Sequence, residues 1–163
     1  CGMAGEPGYR CLRGSRCQSD YQARISGPLL DRIDLRIEVP AVSASDLIRP
    51  GKSEASADVA VRVARARAIQ RERLERRNIT NATTNAQCTA GLVEEIAAPD
   101  AGGLALLRDA SDKLGFSARA YHRVLKVART LADLDGSETV GRIHLAEAIS
   151  YRMTSDRMAQ AAA

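Results

Sequence analysis

A stretch of 23 residues without Gly or Pro, ASADVAVRVARARAIQRERLERR at positions 55–77, is the feature that most constrains the fold of this chain. Ala and Arg, which dominate the stretch, both have high helix propensity. Its basic C-terminal turns suit the negative end of a helix dipole. One face of the helix would be apolar, with Val59, Val63, Ala66, Ile69 and Leu74 at helical spacing. The pattern predicts one long helix with a narrow apolar stripe.

Four further segments have helical patterns, at about residues 89–97, 103–114, 117–134 and 141–152. Gly115 and the Asp135-Gly136 pair separate them as stop signals, and Ser117 is a candidate N-cap. The segment 117–134 carries a core stripe formed by Tyr121, Val124, Leu125, Ala128 and Leu131. Because aromatic residues make up only 3% of the 163 residues, the core must consist of aliphatic side chains. The sequence therefore predicts a mainly α fold.

One strand is also predicted, at about residues 35–39. Apolar Leu35, Ile37 and Val39 alternate with charged residues there, which is typical of a half-buried strand. The strand would end at Pro40, which cannot donate a hydrogen bond to a sheet. The preceding ISGPLLDR is predicted to contain a short helix, so Arg32 would lie where a helix passes into a strand.

The charge and hydropathy of the chain limit which partners and which cellular compartment can be expected for it. With 24 basic and 20 acidic residues the net charge is +4, which permits contact with phosphates without requiring it. No run approaches the roughly 18 apolar residues of a membrane span, and residues 1–24 do not resemble a signal peptide. Since both of these signals are missing, we expect a cytoplasmic protein without a membrane partner. Because the chain begins at Cys1 rather than Met, we expect it to be a segment of a longer protein.

The sequence lacks the motifs for nucleotide hydrolysis. GSETVGRI at positions 136–143 has two Gly at the spacing of a phosphate-binding loop, but the Lys and Ser/Thr that should follow are missing. No other stretch matches a Walker A loop, and no apolar strand ends in paired acids. We therefore predict that this chain alone does not hydrolyse a nucleotide.

The cysteines near the start of the chain form a candidate metal site, whereas the two histidines do not contribute to one. Cys1, Cys11 and Cys17 lie in a Gly-rich loop and would supply three of the four ligands of a tetrahedral zinc site. The fourth ligand would lie upstream, with Cys88 as the weaker candidate. The alternative is three reduced thiols without a metal. His122 and His144 are isolated from each other and are expected to be ordinary residues on helix surfaces.

Arg119, Arg123 and Lys126 form a predicted cationic ridge beside the apolar stripe of the segment 117–134. Its first members lie near the positive N-terminal end of the helix, where anions bind favourably. A solvated basic face is the alternative explanation of this spacing.

Two stretches together resemble the C-terminal part of the ComM/YifB family of AAA+ ATPases, which is related to the magnesium chelatase I subunit and more distantly to MCM helicases. They are YQARISGPLLDRIDLRIEVPAV and LGFSARAYHRVLKVARTLADLDGSETVGRIHLAEAISYR, and the resemblance covers about residues 1–152. It implies the following division: the end of an AAA+ α/β core with a Cys-rich loop (1–40), a connection with a long helical insert (41–100), a helical lid (101–152) and a tail (153–163).

The resemblance also implies a role for Arg32. In LLDR it is similar to an arginine finger, which acts in trans on a nucleotide held by the neighbouring subunit. Arg24 is a weaker second candidate. The structural alternative is a surface Arg32 paired with Asp31 or Asp34.

Arg119, in FSARA, matches the sensor-2 arginine of the lid, which would touch the γ-phosphate of ATP. Arg123 is the second candidate for this nucleotide-binding role. Both assignments are implied by the resemblance, since the spacing of the residues alone does not distinguish them from a solvated face.

For the full-length protein, the resemblance implies a hexameric ring that uses ATP and Mg²⁺ to remodel DNA, by branch migration or helicase-like action connected with competence. One alternative is a non-enzymatic helical adaptor that binds DNA or protein through the Arg-rich helix. Another is a chelatase-like motor that acts on a protein partner. The sequence does not distinguish a DNA substrate from a protein one.

Overall fold

Helices account for most of the chain that the computed structural model describes, which comprises residues 14, 16–37, 39, 42, 47–48 and 53–153. The chain divides into two units, with boundaries after residues 33, 36 and 51. The described part of the first unit includes the short helices α1 (Cys17–Gln22) and α2 (Gly27–Leu30), and residues 47–48 are also helical. The second unit contains Asp34–Arg36 and all described residues from 53 onwards.

The described part of the second unit contains five helices and a 3₁₀ turn. They are α3 (Ser56–Glu75), the 3₁₀ turn (Asn85–Gln87), α4 (Ala90–Ile96), α5 (Ala101–Leu114), α6 (Ala118–Asp135) and α7 (Arg142–Ser150). α6 is central, because it contacts α3, the 3₁₀ turn, α4 and α7. The mainly α fold and the five predicted helical segments are thus confirmed.

Local sequence signals set the ends of α6. The Ser117 hydroxyl accepts a hydrogen bond from the Ala120 N–H at 3.1 Å, which confirms it as the N-cap. At the other end Gly136 has φ of 72°, a left-handed conformation in which glycine carries no Cβ penalty. The predicted start and stop of this helix are therefore explained by its own sequence.

Aliphatic side chains form the core of the second unit. In α6 the predicted stripe is confirmed: Val124, Leu125 and Ala128 are buried, and Tyr121 and Leu131 pack against them. The fully buried large aliphatic side chains outside α6 come from α3, α4, α5, α7 and the loop before α7; they are Leu74, Val93, Leu107, Leu145 and Val140.

α3 extends beyond this core. Ala66 and Leu74 of its predicted stripe are buried, but Val59 and Val63 are 38% and 45% exposed. Every residue from 53 to 65 is exposed. The first turns of α3 therefore project from the second unit. None of the described helices has both the length and the hydropathy needed to cross a lipid bilayer.

The structure differs from the predicted strand at residues 35–39. The described residues there, 35–37 and 39, have no strand conformation, and Leu35, Ile37 and Val39 are all exposed. A strand needs a neighbouring backbone to pair with along its length. Here the Arg36 N–H donates instead to the Tyr151 carbonyl oxygen at 2.8 Å, just beyond α7.

Candidate functional site

A buried cluster of charges fixes the C-terminal half of α6. Asp133 and Arg129 are each 1% exposed, and the Arg129 Nε lies 3.0 Å from the Asp133 Oδ1. Arg73 of α3 donates to the same carboxylate, with its Nη1 3.1 Å from Oδ2. Burial lowers the pKa of Arg129, and the charge of Asp133 opposes this effect. A single buried carboxylate thus compensates two guanidinium groups.

The remaining donors of this cluster are also satisfied. Arg129 donates to the carbonyl oxygens of Ser137 and Glu138 at 2.5 and 2.7 Å. The Asn85 amide donates to the Asp133 Oδ2 at 2.8 Å and to the Thr130 hydroxyl at 3.1 Å. The cluster therefore joins α3, the 3₁₀ turn, α6 and the loop after α6.

This buried cluster was not predicted from the sequence, although a signal was present. Arg129 lies four residues after Leu125, and so it falls on the face already predicted to be the core. A charged residue on a core face, with an acid four residues later, indicates a buried ion pair. Its third member, Arg73, comes from α3 and could not be found from local spacing.

Arg119 lies at the opposite, N-terminal end of α6. It is exposed, and its side chain makes no hydrogen bond or ion pair with any described residue. It belongs to the first turn, where the free N–H groups and the helix dipole add to its positive charge. An uncompensated guanidinium in this position is suited to binding phosphate oxygens.

The other two members of the predicted ridge have protein partners. Arg123 is half-buried and forms an ion pair with Asp34. Lys126 donates to the Ala86 carbonyl oxygen at 2.8 Å. Of these three cations, only Arg119 is free to take an external anion without losing such a contact.

Arg24 and Arg32 belong to the first unit, and both are exposed. Arg24 follows α1. Arg32 follows α2, and its Nη1 lies 3.3 Å from the Pro28 carbonyl oxygen of that helix. Asp34, one of the two alternative partners predicted for Arg32, is paired with Arg123 instead.

The tripeptide Asp34–Arg36 contacts other parts of the second unit. Besides the Asp34–Arg123 ion pair, the Arg36 N–H donates to the Tyr151 carbonyl oxygen at 2.8 Å. The Arg36 Nη1 also donates to the Arg152 carbonyl oxygen at 3.3 Å. These contacts fix the tripeptide to α6 and to the residues that follow α7.

The predicted zinc site stays a prediction. Cys1 and Cys11 lie outside the described residues, and Cys17 is half-buried in α1. Within the described ranges no three His, Cys, Asp or Glu side chains are grouped so that they could hold a metal ion.

The prediction for His144 was wrong, because the residue is 5% exposed and caps α7. Its Nδ1 accepts a hydrogen bond from the Gly141 N–H at 3.0 Å, and its Nε2 lies 3.0 Å from the Asp135 Oδ2. His122 is half-buried, and its Nε2 lies 2.8 Å from the Glu94 Oε1.

Comparison with protein families gives two adjacent matches. The family described as magnesium chelatase, subunit ChlI C-terminal, matches residues 53–152, which is nearly all of the described second unit. The family described as magnesium chelatase, subunit ChlI, matches residues 1–47.

Curated proteins with similar sequences are longer than this chain. Competence protein ComM of Haemophilus influenzae is 42% identical over 133 residues, which cover 81% of this chain and 25% of ComM. Uncharacterized protein YifB of Escherichia coli K12 is 36% identical over 135 residues, with the same two coverages. A protein of Mycobacterium tuberculosis H37Rv is 32% identical over 157 residues, 96% of this chain and 30% of that protein. The chain thus spans about a quarter of the length of the first two relatives.

Proposed function

The chain belongs to the magnesium chelatase subunit ChlI family, as a C-terminal piece of the ComM/YifB type, and from this premise we propose that it is the sensor and lid part of an ATP-driven motor. In the full-length protein, ATP bound with Mg²⁺ would supply the phosphoryl group that is transferred to water. The residues of this chain would bind and orient the phosphate oxygens. The chain would not hydrolyse ATP alone.

The observation that carries this proposal is the state of Arg119. Its guanidinium is exposed and unpaired among the described residues, while the helix that bears it is anchored by a buried cluster at its other end. Because the helix already holds the backbone of Arg119, only its side chain has to become ordered when the guanidinium contacts the γ-phosphate. Arg119 would then register the loss of that phosphate as a movement of α6. Arg123 is the weaker candidate for this contact, because binding a nucleotide would break its ion pair with Asp34.

Arg32 is proposed to act in trans as the arginine finger of a hexameric ring. Within the described ranges its side chain makes one hydrogen bond, to the Pro28 carbonyl oxygen, which is long at 3.3 Å and solvent-exposed. Such a contact costs little to exchange for a charge-assisted bond to a phosphate. The guanidinium would stabilise the charge that develops on the transferring phosphoryl group of the adjacent subunit. Arg24 remains the second candidate for this role.

DNA is the proposed substrate of the motor. Similarity to a competence protein favours DNA over a protein substrate. Arg67 and Arg71 lie one turn apart on α3, are exposed and have no side-chain partner among the described residues, so they can contact phosphates of a nucleic-acid backbone. The same surface supports a second candidate function, a non-enzymatic adaptor that binds DNA or protein through α3.

The proposal is tested with Arg119→Ala in the full-length protein. We expect ATP turnover to fall by about 100-fold or more, because a guanidinium that stabilises the transferred phosphate is lost. Arg108→Ala is the matched control, since Arg108 is also an exposed arginine of the second unit without a described side-chain partner. Unchanged turnover in Arg119→Ala would reject the sensor role. Loss of salt-dependent DNA binding on replacing Arg67 and Arg71, in a protein without any ATPase activity, would favour the adaptor.

A further inference from the structure

The ion pair between Asp34 and Arg123 joins two segments that are 89 residues apart in the sequence. Asp34 follows Arg32 by two residues, and Arg123 follows Arg119 by one helical turn on α6. Each partner is therefore close in sequence to one of the two arginines proposed to act on ATP. The side chains of Arg123 and Asp34 are 28% and 47% exposed, so the pair lies at the surface of the second unit.

The covalent chain limits how far Arg32 can move from this ion pair. Two residues span at most about 7 Å, so the Cα of Arg32 always lies within that distance of the Cα of Asp34. The hydrogen bond from the Arg36 N–H to the Tyr151 carbonyl oxygen holds the other side of Asp34. A displacement of α6 or α7 that carries Asp34 with it therefore also moves the residue to which Arg32 is tethered.

We propose that the Asp34–Arg123 ion pair is a coupling element, which transmits the position of α6 to Arg32. The inference rests on the proposed function, because it assumes that Arg119 and Arg32 both act on ATP. In this scheme Arg123 is a positioning residue rather than a nucleotide ligand. It holds Asp34, and Asp34 sets where the backbone carrying Arg32 leaves the second unit.

The scheme gives the two arginines a physical connection within one subunit. Arg119 would respond to the γ-phosphate of one nucleotide, and α6 would move as a rigid unit because the cluster around Asp133 fixes it to α3. Through Arg123 and Asp34 the same movement would reposition Arg32, which acts on the nucleotide of the next subunit. Successive sites of a ring would then not hydrolyse ATP independently.

A half-exposed ion pair suits this role because it is weak. Pairs of this kind contribute little to folding stability, so breaking one does not unfold the protein. It can also be remade with the charges exchanged, since it depends on opposite charge at two surface positions rather than on a unique buried geometry. This permits a test that separates coupling from structural damage.

The test uses the full-length, assembled ATPase with Asp34→Asn, Arg123→Gln and the double variant Asp34→Arg/Arg123→Asp. We expect each single variant to lower kcat by about 3- to 30-fold, the range typical of changes in a coupling contact, while KM for ATP and Tm stay unchanged. The dependence of turnover on ATP concentration should lose cooperativity. The charge-exchanged double variant should recover most of the wild-type kcat and most of the cooperativity. Glu94→Gln is the control, because it removes the His122–Glu94 pair of comparable exposure on the adjacent residue of α6.

Several outcomes would overturn the coupling. They are wild-type kcat and cooperativity in both single variants, failure of the double variant to recover activity, or a raised KM in Arg123→Gln, which would make Arg123 a nucleotide ligand. The variants Arg32→Ala and Arg119→Ala distinguish this from failure of the proposed function. If both retain full turnover, the proposed function is wrong; if both lose it while Asp34→Asn does not, only the coupling is wrong.

Discussion

Arg129 and Asp133 lie one turn apart on α6 and form an ion pair that is almost completely buried, with 3.0 Å between Nε and Oδ1. Arg73 reaches the same carboxylate from α3. The buried cluster restrains α6 against α3, because sliding of one helix along the other would leave buried charges unpaired. Arg119 at the other end of α6 is thus carried by a rigid element.

We predict that Asp133→Ala destabilises the protein by about 3–5 kcal/mol, since two guanidinium groups would lose their common counter-charge in the core. Urea unfolding followed by circular dichroism measures the effect. Glu72→Ala is the control, because it removes the exposed Glu72–Arg76 pair and should cost less than about 1 kcal/mol. Similar losses in the two variants would show that the buried cluster does not stabilise α6.

Gly103→Ala is predicted to destabilise the packing of α5 on α7 by about 1–3 kcal/mol. A Cβ at Gly103 would lie 2.8 Å from the Leu145 Cδ1 and 3.2 Å from the Pro99 Cβ, and the Leu145 side chain is fully buried. Gly102→Ala is the matched control, because the nearest atom to its Cβ would be the Asp100 Oδ1 at an ordinary 3.7 Å.

Thermal unfolding compares the two variants. A lower Tm for Gly103→Ala is expected, together with an unchanged or raised Tm for Gly102→Ala, since alanine favours helix over glycine. Equal Tm values would contradict the close approach of α5 and α7.

Stability should decrease in alkaline solution because of Cys88. Burial raises the pKa of its thiol above the ordinary value of 9.0, so above that pH the unfolded chain loses the proton while the folded chain keeps it. The folded state then binds more protons than the unfolded state, and the free energy of unfolding falls as pH rises. The hydrogen bond to Glu147 also raises the pKa of Tyr151 above its ordinary value of 10.0. Above that pH, Tyr151 therefore adds to the loss of folding stability.

Unfolding in urea at pH 7 to 10 measures this dependence. Cys88→Ala should reduce the alkaline loss, whereas Cys17→Ala should retain it, because Cys88 is still present. An identical pH dependence in Cys88→Ala and the unmodified protein would show that the thiol contributes nothing to it.

The helices could be predicted from the sequence because their signals are local. Periodic apolar residues defined α6, and Ser117 and Gly136 marked its ends through bonds within a few residues. The prediction that failed concerns a segment whose conformation depends on contacts with residues distant in the sequence. The segment 35–39 has the alternation of a strand, but its described residues lack a strand to pair with, and Arg36 bonds to the end of α7.

In the candidate site, too, local features could be predicted from the sequence and contacts between distant residues could not. Local helix position was enough to propose the ridge of Arg119, Arg123 and Lys126, but only the family resemblance distinguished Arg119 from the other two. The pairing of Arg123 with Asp34 could not be foreseen, since Asp34 lies 89 residues away. His144 was misjudged because its burial depends on how the loop before α7 packs against Asp135 at the end of α6.

The most direct measurement of the central claim, that this chain supplies positive charge to a nucleotide held elsewhere in an assembled ring, is ATP turnover and ATP binding by full-length Arg32→Ala. Binding should remain close to wild type, because an arginine acting in trans contributes to the transition state rather than to ground-state affinity. Turnover should fall by about 1,000-fold or more. The Arg108→Ala control should keep full turnover. Wild-type turnover in Arg32→Ala would contradict the account.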